Sequence, residues 1–109
     1  MSAALFIAQR LSAAVLAIAV TVHLGTILYA VRGGLTAGEI LGRTRGSLAF
    51  MLLYVVFVLA VAVHAPIGLR TVLREWTPWR GPSLDVALGA IALLLLVLGL
   101  LAVYAVGLA

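Results

Sequence analysis

The sequence predicts an all-α membrane protein whose three transmembrane helices form part of a larger helical bundle. Three observations carry this. There are three apolar runs, each long enough to cross a bilayer, which takes about 20 residues. The composition is 66% hydrophobic, with a mean hydropathy of +1.33. The stretches between the runs are short and rich in glycine, proline and arginine. A soluble domain of 109 residues leaves too much of its surface in water to hide that much apolar area. Chemistry on soluble substrates therefore falls to a partner.

The first helix is expected at about residues 5–31. Arg10 lies in its first turns, where its stem can reach the headgroups. The N-terminus lacks the basic-then-apolar order of a cleaved signal peptide, so this run is expected to be retained. Residues 32–46, "RGGLTAGEILGRTRG", read as a loop with at most a short interfacial turn. The second helix is expected at about 47–70, extending at most a few residues further, with a bend at Pro66. The stretch "REWTPWRGPS" reads as a second loop. Trp76 and Trp79 sit there at the membrane boundary, and Pro78 and Pro82 are expected to block helix continuation. The third helix is expected at about 84–108. It has no charge after Asp85 and no histidine, so it is expected to provide packing and lipid-facing surface.

The net charge of +4 comes from arginines at membrane edges, where cationic side chains normally collect. This disfavours nucleic-acid binding. Arg10, Arg70, Arg74 and Arg80 fall on one side and Arg32, Arg43 and Arg45 on the other. That difference of four against three is small, and the N-terminus is expected in the cytoplasm. The absence of cysteine excludes disulfides, thiolate metal sites and cysteine-bound iron–sulfur clusters.

Two histidines stand inside the apolar runs, His23 and His64. An ionisable ring in hydrocarbon is costly without a partner and marks a candidate functional site. The plain alternative is a neutral ring bonded to a neighbouring helix. Two such rings, with no other buried acid or base, favour ligation. Haem iron is the common choice where histidine alone serves in a helical bundle. Ser12, Leu16, Ala19 and Val20 share the face of His23 at helical spacing. Phe57, Ala60, Val61 and Gly68 share that of His64. By helical rise the two rings lie in opposite halves of the membrane, roughly 15–20 Å apart. They cannot bind one iron together, so each would need a second axial ligand from another chain.

The segments "QRLSAAVLAIAVTVHLGTILYA" and "HAPIGLRTVLREW" resemble the membrane-anchor cytochrome b subunits of succinate dehydrogenase and fumarate reductase. The likeness rests on the ordered set Gln9, Arg10, Ser12, Ala13, then His64, Gly68, Arg70 and Glu75, and covers roughly Gln9 to Trp76. Phe6 departs from the family's serine and Ala13 from its usual glycine. The resemblance implies His64 as a haem b axial ligand, with His23 as a second and one or two haems shared with a second copy or a sister anchor. It implies contacts to haem propionate or quinone from Arg10, Arg70 and Ser12, and a quinone entrance bordered by Glu75 and Trp76. It further implies flavoprotein and iron–sulfur partners and a place in the inner (cytoplasmic) membrane. Two other classes remain open: a haem-free structural anchor, and a small oligomer conducting protons or solutes.

Overall fold

A computed structural model of the chain describes residues 2–109. It contains four helices among these residues: α1 (Ala3–Gly33), α2 (Ala37–Thr44), α3 (Leu48–Trp76) and α4 (Pro82–Gly107). Helices α1, α3 and α4 are long and apolar enough to cross a membrane. The chain is a multi-pass membrane protein by length and composition. Its long axis spans 48 Å, beyond the roughly 30 Å hydrocarbon core, so the helix ends reach the headgroup layer.

Helix α3 is the middle element, packed on one side by α1 and on the other by α4. The packing uses small residues, as expected where lipid competes with protein for apolar contact. On α1 the buried residues are Ser12 and Ala19, seven apart and therefore on one stripe. On α4, Gly99, Val103 and Gly107 recur every four residues, and the last two are buried. A Cβ on Gly99 would come within 2.5 Å of Val58, and one on Gly107 within 2.8 Å of Met51. The side chains of Val58 and Met51 on α3 therefore fill the space that a Cβ on Gly99 or Gly107 would need. Leu84 and Leu88 of α4 are buried as well, and the large apolar side chains left exposed are mostly Leu, Ile and Val, for which lipid tails are the solvent.

Three boundaries differ from expectation. Helix α3 runs to Trp76, because nothing between Leu69 and Trp76 breaks a helix and the first obstacle is Thr77 ahead of Pro78. Pro66 is buried inside this continuous helix. Helix α4 starts at Pro82, two residues before the expected start at 84; a proline suits the first turn because its missing N–H would have had no partner there.

The third difference is α2, a full helix in the stretch read as a loop. Thr36 caps it, accepting from the Glu39 backbone N–H and donating to the Glu39 carboxylate at 2.7 Å. This is a capping-box pattern, Thr-Ala-Gly-Glu. The helix is pinned at three places. The Arg43 guanidinium donates to the Gly34 carbonyl at 2.6 Å. The Thr44 hydroxyl donates to the Val106 carbonyl at 2.8 Å. The Gly46 N–H donates to the Gly107 carbonyl at 2.8 Å, from a left-handed φ of 73° that suits glycine. So α2 joins the ends of α1 and α4 on the membrane side opposite the N-terminus.

Candidate functional site

The seam between α1 and α3 holds both histidines at different depths. Near the N-terminal side, the Ser12 hydroxyl lies 3.3 Å from Nδ1 of His64. Near the α2 side, the Tyr54 hydroxyl lies 3.4 Å from Nδ1 of His23. The helices run antiparallel, and the pairs are ten to eleven residues apart on each. Their separation along the helix axes is thus about 15 Å, in line with the depth expected for the rings.

The Ser12–His64 pair is set up for one proton order in particular. Ser12 sits in a helix, where a serine hydroxyl commonly turns back onto the preceding turn. Its hydroxyl donates to the Gln9 carbonyl at 3.0 Å, the shorter of its two contacts. With that proton on the Gln9 carbonyl, the Ser12 oxygen accepts from His64 in the tautomer that carries the hydrogen on Nδ1. Nε2 then bears a lone pair and has no hydrogen-bond partner among the described residues. An imidazole whose one nitrogen donates to an oxygen while the other is free is the arrangement of a metal-ligating histidine. Beside it lies the Gln9 amide. Its Oε1 is buried without a partner, and its Nε2 would be 3.2 Å from a Cβ at Gly68. Glycine at 68 makes room for that amide.

The lower pair is different. His23 meets the ring of Tyr54 edge-on at 5.7 Å and that of Phe57 at 5.6 Å. It also borders a cavity of about 480 Å³ between α1, α2 and α3. A second cavity, of about 370 Å³, shares His23, Ile40, Thr44 and Tyr54 with the first. His64 lines neither. A further open space of about 370 Å³ lies in the same seam at the Ser12 end, lined by Ser12, Val15, Val56 and Ala60 among others, but His64 is not part of its lining. His23 is therefore the histidine that borders open space, although the sequence pointed more strongly to His64.

The other expected residues are dispersed. Ser12 was placed on the face of His23; it packs instead against His64, because residue 12 of α1 and residue 64 of α3 share a depth in an antiparallel pair. The Arg10 guanidinium is stacked 5.6 Å from the Phe6 ring centroid on the exposed side of α1. The Nε of Arg70 donates to Asp85 of α4 at 3.0 Å, closing an ion pair between α3 and α4. Its Nη groups have no partner among the described residues. Glu75 borders a polar recess with Arg70, Thr71, Arg74 and Arg80. Trp76 is 82% exposed, as an interfacial anchor would be. Arg80 folds back on the end of α3, donating to the carbonyls of Arg74, Thr77 and Trp79.

Tyr54 and Arg43 were not singled out from sequence as site residues, and Gln9 entered only as part of the resemblance. Tyr54 carried a signal: it is the polar group on the second span at the depth computed for His23. Among the described residues no three His, Cys, Asp or Glu side chains gather into a metal site, so one chain alone offers at most one imidazole at each level. The fold and site define a three-span membrane protein with two seam histidines. No family model, curated protein or solved structure matches the chain.

Proposed function

We propose that this chain is a haem b-binding membrane anchor of a succinate dehydrogenase/fumarate reductase-type complex, passing electrons between an iron–sulfur subunit and membrane quinone. The observation behind this reading is the hydrogen-bond chain from His64 Nδ1 to Ser12 to the Gln9 carbonyl. With Nδ1 as the donor, it leaves Nε2 of His64 as an unprotonated nitrogen without a partner among the described residues, in a membrane helix. Haem held there supplies a one-electron carrier inside hydrocarbon. His64 is the axial ligand and Ser12 its positioning residue, fixing ring orientation and tautomer. A histidine at the same depth in a second copy or a sister anchor would hold the haem together with His64. The Nη groups of Arg70, two helical turns nearer the membrane face, suit a propionate. The complex belongs in the inner membrane with its arginine-rich N-terminal side on the cytoplasmic face, towards flavoprotein and iron–sulfur subunits.

A haem-free anchor is the second reading. It is favoured by the partner that each ring already has within the chain. Purification of the complex in mild detergent, with pyridine haemochrome quantitation, separates the two. At least one haem b per two anchor chains is expected. A colourless complex holding its soluble subunits would leave the structural anchor as the better account.

A further inference from the structure

We infer that the cavity at His23 is a binding site for the membrane quinone, on the α2 side of the membrane, away from the Arg10, Glu75 and Trp76 side. The inference rests on the electron-transfer reading above and adds a location and a recognition chemistry to it.

The cavity of about 480 Å³ is within the usual range for small-molecule sites, roughly 300–1,000 Å³. Its walls are largely apolar, and its polar members are His23, Thr26, Tyr29, Arg43, Thr44 and Tyr54. The Thr26 hydroxyl is spent on the His23 carbonyl at 2.7 Å. The Thr44 hydroxyl is spent on carbonyls of α2 and α4.

His23 and Tyr54 are different. A neutral imidazole and a phenol bring two protons, and their mutual bond uses one. If Tyr54 donates to Nδ1, the hydrogen on Nε2 of His23 is left over. If Nδ1 donates to Tyr54, the phenol hydrogen is left over. Either way one donor remains, and no acceptor among the described residues takes it. An unpaired donor in hydrocarbon costs free energy, so the site calls for an acceptor. At the α2 end, Arg43 is again purely a donor. It is held by the Gly34 carbonyl and lies over the Tyr29 ring at 5.8 Å.

An apolar cavity whose unspent polar groups are donors selects a flat apolar ring bearing carbonyl oxygens. That is the chemistry of a membrane quinone. The adjoining cavity of about 370 Å³, lined by Phe57, Val58, Gly99 and Val103, gives a hydrocarbon tail an apolar path. The three bonds that pin α2 keep the floor of the site in place.

The donor count makes an unusual prediction. His23→Phe leaves the Tyr54 hydroxyl free to donate, and Tyr54→Phe leaves an imidazole N–H. Each single change therefore weakens quinone binding by about threefold or less, whereas the double change weakens it by about tenfold or more, the size of one lost hydrogen bond. The experiment uses the purified complex in nanodiscs and a short-tailed azido-benzoquinone. Its dissociation constant is measured for wild type, both single variants and the double variant, and its photolabel is mapped by peptide mass spectrometry. Haem content is followed in parallel as a check on folding.

Labels on 22–30 and 40–54, a double variant much weaker than either single, and unchanged haem would support the site. Labels confined to 5–12 and 70–80 would overturn it while leaving the anchor reading intact. Wild-type affinity in the double variant would also overturn it, as would loss of haem in His23→Phe with Tyr54→Phe intact. Absence of both haem and quinone binding from the wild-type complex would remove the anchor reading, and this inference with it.

Discussion

The two ends of the α1–α3 seam use the same residue type and leave opposite needs. At His64, two groups in a row, the imidazole and the Ser12 hydroxyl, pass their protons outward to a backbone carbonyl, and what remains is a lone pair. At His23, two groups share one bond, and what remains is a proton. A lone pair in hydrocarbon calls for a metal or a donor, whereas a proton calls for a carbonyl. The difference lies in the partner. Ser12 has a carbonyl one turn back to take its hydrogen, and Tyr54 has none among the described residues. A histidine in a membrane helix is therefore read through what its neighbour does with its own proton.

The largest predicted effect breaks the ordered end. Ser12→Ala removes the acceptor for Nδ1 of His64, and haem retention should weaken about 10–100-fold. Haem release to excess apomyoglobin measures this, and Ser12→Thr should restore most of it. Next, Arg43→Met removes a charge-assisted bond to the Gly34 carbonyl and the contact with Tyr29. It should destabilise α2 by about 2 kcal/mol, seen as faster amide exchange over 37–44, with the His64 end untouched.

Gln9→Leu tests whether the orphaned amide is a structural liability. Replacing a buried unsatisfied oxygen by apolar volume should change stability by less than about 1 kcal/mol, in the stabilising direction if either. A large fall in detergent melting temperature would mean that Oε1 has a partner in the assembled complex. The smallest effect is expected for Arg70→Gln. Its partner Asp85 is 59% exposed, so the pair contributes at most about 1 kcal/mol. A melting series across added salt checks this, since screening should erase the difference.

The three spans were legible because hydrocarbon length sets a threshold that apolar runs either meet or miss. Depth was legible too: rise per residue put His23 and His64 in opposite halves, and the pairings with Tyr54 and Ser12 agree. Helix ends were harder, because Arg70 and Arg74 suggested an exit from the membrane while the backbone simply continued to Thr77. The eight residues of α2 were obscured by Gly38 and Gly42, although Thr36 and Glu39 carried its capping signal. What one helix face cannot give is its partner. Ser12 lies on the stripe of His23 within α1, yet it meets His64 because the antiparallel helix brings residue 64 to its depth. Proton order depends on that pairing, and so appears only once two helices are side by side.

We propose that His64, through its free Nε2, holds haem b. The most direct measurement is the dithionite-reduced minus oxidised spectrum of the membrane complex for wild type, His64→Ala and His23→Phe. The account predicts a b-type α-band in wild type, its retention in His23→Phe and its loss in His64→Ala, with the soluble subunits still attached. A band that survives His64→Ala, or no band in the intact wild-type complex, would contradict it.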